Sequence, residues 1–239
     1  RSARLYRISN DAPECLRLKI YQNIGALPLS DAVPALENFG FRVLEEFTTE
    51  LDYGRLGTIR DFVLELPFAD LTAPLLDRAS LIEQAITAVL NGAAENDAFN
   101  RLAITAALAA REVEWCRAFY TYLRQVGTKY TSATVVDALG GAASITRALM
   151  DMFCARHDPA FSGDREKGEG AAAEAIRVGL ASVVAINDDR VLRLFRSLVD
   201  AILRTNAFAP AAQEALAFKI DSALVPGLPK PVPWREIFV

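Results

Sequence analysis

The sequence predicts an α+β protein, mostly helical: a small α/β module, then an α-helical bundle, then a terminal strand and linker. Three observations predict it. Of 40 alanines, 32 lie between Ala79 and Ala217 and seven precede Pro74, and alanine is the best intrinsic helix former. Strict apolar/polar alternation, the mark of a strand with one buried face, is concentrated before residue 75. Pro226, Pro229, Pro231 and Pro233 then enforce an extended connection near the end.

The elements follow in order. Leu16, Leu18 and Ile20 alternate with Arg17, Lys19 and Tyr21, which predicts a strand. A turn spans 23–28. Ser30 is the expected N-cap of the next helix, Asp31 suits its positive first turn, Pro34 is early enough to be tolerated, and Gly40 stops it after Phe39. Residues 41–50 and 59–66 read as two more strands joined through Asp52 to Gly57, the second alternating cleanly at Phe62, Leu64 and Leu66. Strand, helix, strand, strand is the order of a ferredoxin-like sandwich with one edge missing or borrowed. Helices are then expected over about 77–90, 97–109, 111–126, 132–139, 144–155, 170–185 and 188–204. In the last, Asn187 is the expected cap, and Val191, Leu194, Phe195, Leu198 and Ile202 form an apolar face opposite Arg190, Arg193 and Arg196. Leu216, Phe218 and Ile220 predict a strand. Glu236 to Val239 reads as the start of another, with its partner expected beyond residue 239.

Charge and composition exclude several functions. With 26 Lys plus Arg against 30 Asp plus Glu, the net charge is −4, which gives no electrostatic footprint for nucleic acid or an anionic membrane. No apolar run reaches the roughly 18 residues of a membrane span, and a cytoplasmic location is expected. Cys15, Cys116 and Cys154 are far apart, without CxxC or a histidine at ligand spacing, so they read as core thiols rather than a zinc site or disulfide framework. The single histidine, His157, reads as a partly exposed helix-end cation. Trp115, Phe119 and Tyr122 fall at i, i+4 and i+7, an aromatic seam against a neighbouring helix rather than a ligand stack. No GxGxxG or GxxxxGK[ST] occurs. Gly163, Gly168 and Gly170, with Arg165, Glu166, Lys167 and Glu169, read as a charged surface loop from Ser162 to Gly170. Arg204, Asn206, Lys219 and Asp221 are polar within apolar stretches, which caps and solvent-facing strand positions explain. No catalytic, cofactor-binding or metal-binding residue is assigned.

Four stretches resemble the large bacterial NAD-specific glutamate dehydrogenases. They are Leu16 to Tyr21 with Leu29-Ser30-Asp31, Leu36 to Gly40 and Arg42-Val43-Leu44; Ala94 to Leu102; Arg111-Glu112-Val113 with Tyr122 to Gln125; and Leu203 to Asn206 with Phe218 to Asp221 and Glu236 to Val239. The resemblance implies an ACT-like module at 12–74, a helical domain at 75–210, and at 211–239 a strand and proline connector into a catalytic domain. It implies a non-catalytic regulatory or scaffolding segment, inactive alone, of an enzyme that uses NAD to deaminate L-glutamate to 2-oxoglutarate and ammonia. NAD would serve that enzyme and not bind this segment. The implied partners are the catalytic domain of the same polypeptide, further copies in a homo-oligomer and a small effector, with no nucleic acid and no membrane. The alternative is an ACT-like module that senses an amino acid. Ala109 and Ala110 stand where the family carries a Ser-aromatic pair, which leaves open whether 97–126 is one kinked helix or two.

Overall fold

The computed structural model describes residues 1–25, 27–67 and 69–239. The chain divides into two compact units: Arg1–Ile104 with Leu108–Val113, and Thr105–Ala107 with Glu114–Val239.

Unit 1 contains β1 (Ser2–Tyr6), β2 (Cys15–Gln22), α1 (Leu29–Asn38), β3 (Arg42–Leu51), β4 (Gly57–Glu65), α2 (Thr72–Asp77) and α3 (Ala79–Leu90). The strands form one antiparallel sheet in the order β1-β2-β4-β3. The alternation read from the sequence governs the core. Leu16, Leu18 and Ile20 of β2, with Phe62 and Leu64 of β4, are fully buried and meet Ala32, Ala35 and Leu36 of α1 in the same core. On the opposite face Arg17 and Lys19 stand beside Val63 and Asp61. The fourth strand is β1, ahead of the residue 12 at which the module was expected to begin. It pairs with β2 in the position that a ferredoxin-like sandwich gives to its last strand. Leu5 is its one large residue in the core, so it carries too little alternation to be read from sequence.

Two local expectations in unit 1 are corrected. The helix α1 starts at Leu29 with Pro28 as its N-cap, because Pro28 already has the extended conformation that a cap needs. The Ser30 hydroxyl instead sits 3.3 Å from Asp31 Oδ1. The second break is at Arg78, which separates α2 from α3, so the helix expected from Asp77 begins at Ala79. Gly40 does end α1: its φ is +92° and its N–H donates to the Glu37 carbonyl at 2.8 Å.

The stretch 97–126, left open as one kinked helix or two, is broken. A 3₁₀ turn (Ala98–Arg101) and a short α4 (Leu102–Thr105) precede α5 (Ala110–Val126). Ala107 between them has a φ of +54°, a left-handed conformation that costs an alanine about 1 kcal/mol or more. Burial of Leu108 and a bond from the Ala109 N–H to the Glu112 carboxylate fix the turn.

Unit 2 comprises most of α5 with α6 (Ser132–Gly141), α7 (Ala143–His157), α8 (Arg165–Ala181), α9 (Ile186–Ala201) and an antiparallel sheet of β5 (Ile202–Thr205), β6 (Phe218–Ile220) and β7 (Glu236–Phe238) in that order. The aromatic seam is the centre of its core. Phe119 is fully buried, with its ring centroid 5.5 Å from Phe153, 6.4 Å from Phe195 and 5.3 Å from Phe218. Trp115 lies 4.9 Å from Phe153, and Phe218 stacks on Phe238 at 6.2 Å. Edge and offset arrangements of this kind add to the burial of the rings.

Three expectations change here. The helix α8 starts at Arg165, not Gly170, because Asp164 accepts from the Lys167 N–H and caps it. The segment read as a charged loop is therefore mostly the first turns of a helix. The helix α9 begins at Ile186 with Ala185 at its N-cap, so Asn187 lies inside it, and it ends at Ala201 rather than Arg204. Ile202–Thr205 leaves the helix to pair with β6 as β5. Finally, β7 has its partner within the chain: Phe218 faces Phe238 and Lys219 faces Ile237.

Candidate functional site

In unit 2 a buried polar cluster fastens α5 to the sheet. Tyr122 is buried two turns from the Trp115 end of the seam, and its hydroxyl donates to Glu236 Oε2 on β7 at 2.7 Å. The Ser222 hydroxyl reaches the same oxygen at 3.2 Å. Burial first, then the hydrogen bond and charge of Glu236, push the Tyr122 hydroxyl well above the ordinary tyrosine range, so it stays a donor. A second polar link, Arg235 Nη1 to Asp221 Oδ1 at 2.9 Å, joins the residue before β7 to the residue after β6.

A third cluster ties the helices. Arg156 near the end of α7 contacts Glu169 of α8 at 2.6 Å and Asp200 of α9 at 3.0 Å, and donates to the Val199 carbonyl at 3.1 Å. Arg165 donates to the carbonyls of Ala155 and Asp158. Glu169 and Arg165, expected to be merely solvated, therefore tie α8 to the end of α7, and Arg156 adds α9 to the cluster. His157 ends α7 as expected but is not a cation. Burial first, then the neighbouring Arg156 guanidinium, bring it down to about 4, and its Nε2 is buried without a hydrogen-bond partner.

The remaining polar residues singled out in the sequence have local roles. The Asn206 side chain donates to the Ala215 carbonyl at 2.7 Å and accepts from the Ala217 N–H at 2.8 Å. Asp221 accepts from the Ala223 N–H at 3.2 Å. Arg204 and Lys219 are exposed on paired positions of β5 and β6. Cys15 and Cys116 are buried and no cysteine forms a disulfide.

Unit 1 contributes a cleft of about 370 Å³ at the end of its sheet, near the β3–β4 hairpin. Tyr21, Gln22, Leu51, Leu56 and Ile59 line it. Gln22 is only 6% exposed, and its Oε1 has no hydrogen-bond partner. On the outer face of the same sheet, the Tyr6 hydroxyl donates to Asp61 Oδ2 at 2.5 Å. Burial first, then Asp61, raise Tyr6 to about 12. Neither Glu236 nor Gln22 carried a sequence signal. The first was part of a short strand, and the second was the last residue before a turn.

Two of the glycines expected in the charged loop serve packing: a Cβ on Gly168 would lie 2.8 Å from the Phe161 ring, and one on Gly163 would lie 3.0 Å from it. Among the described residues no group of three His, Cys, Asp or Glu side chains is placed to hold a metal. No helix among them is long and apolar enough to cross a membrane.

A ferredoxin-like sheet module is followed by a helical unit that carries short strands on an aromatic core, an α+β modular segment. Three family models match it in succession: "Glutamate dehydrogenase, ACT3 domain" over 2–74, "Glutamate dehydrogenase, helical motif 3" over 94–159, and "Bacterial NAD-glutamate dehydrogenase, catalytic domain" over 175–239. The NAD-specific glutamate dehydrogenase of Halomonas elongata is 36% identical over 243 residues, covering 98% of this chain and 15% of that protein. Those of Pseudomonas aeruginosa and Mycobacterium tuberculosis are 36% and 34% identical, covering 94% and 88% of this chain. Each of the latter two matches extends over 14% of the relative. The chain belongs to the bacterial NAD-specific glutamate dehydrogenase family, and it spans about one-seventh of the length of these relatives.

Proposed function

We propose that this chain is a non-catalytic regulatory and scaffolding segment of an NAD-dependent glutamate dehydrogenase. The enzyme would oxidise L-glutamate by hydride transfer to NAD and release 2-oxoglutarate and ammonia, in the cytoplasm and as a homo-oligomer. Cofactor and substrate would be held by residues outside this chain. In modular terms, 12–74 with β1 would be the ACT-like module, 75–210 the helical domain and 211–239 the connector.

One observation supports the scaffold reading above the rest. Residues matched by the helical-motif model and residues matched by the catalytic-domain model lie in a single core: Phe119 and Phe153 from the first, Phe195, Phe218 and Phe238 from the second. The Tyr122–Glu236 hydrogen bond crosses the same divide. A helical segment that completes the core of the first catalytic strands sets their position without touching substrate.

The experiment compares the full-length enzyme with its Tyr122→Phe variant and with the 239-residue chain. The isolated chain should form no NADH from glutamate and NAD. The variant should lose thermal stability and kcat together while its KM for NAD stays unchanged. Turnover by the isolated chain, or a variant unchanged in both Tm and kcat, would refute the reading.

A second reading is that the ACT-like module senses a small molecule, for which the unit 1 cleft lined by Tyr21, Leu51, Leu56 and Ile59 offers the space.

A further inference from the structure

We propose that the outer face of the unit 1 sheet is an interface between two copies of this chain, packed face to face about a two-fold axis parallel to the strands. This rests on the homo-oligomer proposed above and assigns a surface through which it forms.

The helix α1 covers the side of the sheet that carries Leu16, Leu18, Ile20, Phe62 and Leu64, and α3 packs beside it. On the outer side Phe47 is 53% exposed and Tyr21 40%. With Leu51 and the half-buried Ile59 they make one apolar patch across β2, β4 and β3. An apolar patch rimmed by charges marks an interaction surface.

The strand register fixes which outward residues share each row across the sheet. The middle row is Arg4, Lys19, Asp61 and Phe47, flanked by Tyr6, Arg17, Val63 and Glu45 on one side and by Ser2, Tyr21, Ile59 and Thr49 on the other. In these rows the cations stand on β1 and β2 and the carboxylates on β4 and β3. A two-fold axis along the strands lays each row on its own reverse. Lys19 then meets Asp61 of the second copy, Tyr6 meets Glu45, Tyr21 meets Ile59, and the Arg4 guanidinium meets the Phe47 ring. Opposite charges, apolar pairs and a cation over a ring are each attractive. An axis across the strands would set β1 and β2 on themselves, cation against cation. The charge pattern therefore selects one arrangement, and self-complementarity of this kind is what a two-fold dimer requires. Lys19 Nζ stands 3.9 Å from Asp61 Oδ2 within one copy, and an ammonium has further donors to reach across.

The competing surface is the free edge of β3. Pairing two copies there would gather Glu45, Glu46 and Glu50 of both along one ladder, where like charges repel. The face is also large enough. With strands about 4.8 Å apart and a rise of about 3.3 Å per residue, four strands of about eight residues present about 500 Å². Two copies then bury about 1,000 Å², the threshold of a specific interface.

The test uses the full-length enzyme carrying Tyr21→Cys, treated with a short bis-maleimide, with Glu37→Cys on the exposed side of α1 as the control. All variants are checked for native circular dichroism. Tyr21→Cys should give a cross-linked species of twice the chain mass, and Glu37→Cys none above the background of the parent. Adding Lys19→Glu should lower the yield about tenfold, and adding Asp61→Lys to that variant should restore it, because the reversed charges face each other again. Absence of the cross-link, or a yield unaltered by Lys19→Glu, overturns the interface. A Tyr21→Cys thiol that is shielded from a monofunctional maleimide and not cross-linked overturns it in favour of a segment of the same polypeptide lying on this face. Sedimentation of the parent enzyme separates the two ideas. An oligomer without the cross-link removes only this surface, whereas a monomer removes the homo-oligomer as well.

Discussion

The four-stranded sheet of unit 1 and the three-stranded sheet of unit 2 are built on the same period-two alternation, yet they treat their inner and polar groups differently. In unit 2 the buried face is aromatic, with Phe218 and Phe238 against Phe119, and the carboxylate on that sheet, Glu236, receives two hydroxyls. In unit 1 the buried face is mostly aliphatic and holds a glutamine acceptor, Gln22 Oε1, that has no donor, and the outer face carries a polar array of Arg17, Lys19, Tyr6 and Asp61. The β3–β4 hairpin holds Asp52, Tyr53 and Gly54 in succession at positive φ, with Tyr53 93% exposed. Packed aromatics and satisfied polar groups suit a scaffold. Exposed apolar residues such as Leu56 and Tyr53 suit a surface that meets something else.

The largest effect that would break this contrast is a core truncation. Phe119→Ala should destabilise unit 2 by about 3–5 kcal/mol, the usual cost of a large-to-small change at a buried phenylalanine. Phe47→Ala on β3, where the ring is 53% exposed, should stay within about 0.5 kcal/mol. Urea denaturation of both variants measures the difference. Equal losses would mean that the outer face of β3 is as structural as the aromatic core.

An intermediate effect separates the units by pH. His157 in unit 2 is held near 4 by burial and Arg156, below its unfolded value of about 6.5. The unfolded state therefore takes up a proton first on acidification. This contribution is full above about pH 6.5 and is lost as the pH falls through about 4. Tyr6 in unit 1 titrates in the other direction: its raised value of about 12 gives stability that is full below about pH 10 and is lost as the pH rises through 12. Chemical denaturation from pH 4 to 7 should show a shallower slope in His157→Phe than in the parent chain. An unchanged slope would assign the acid sensitivity to other groups.

Much of the fold was legible because one interaction dominated locally. Leu16-Leu18-Ile20 and Phe62-Leu64 alternate over enough residues that only a strand buries them, and Trp115-Phe119-Tyr122 has only a helical spacing. What escaped were positions decided by distant partners. Ile202 continues the helical series from Leu198, and the strand wins there because β6 pairs with it. The strand β1 shows one large inward residue, and its existence depends on β2. The candidate sites were less legible still. Tyr122 and Glu236 are 114 residues apart, and the unpaired oxygen of Gln22 follows from a loop conformation that no residue spacing encodes.

Helix caps give the smallest effect and show where local chemistry alone misleads. Ser30 and Asp164 are both favourable N-cap types, and each is followed at once by charged or polar residues. Only Asp164 caps a helix: it accepts from the Lys167 N–H at 3.2 Å, whereas Ser30 lies one position inside α1 because Pro28 already supplies the extended turn. Asp164→Ala should therefore cost unit 2 about 1 kcal/mol, and Ser30→Ala should cost unit 1 no more than a few tenths, alanine being the better helix former at an exposed helical position. Thermal unfolding of the two variants decides it. A larger loss for Ser30→Ala would place the start of α1 two residues later, after the cap that the sequence alone suggests.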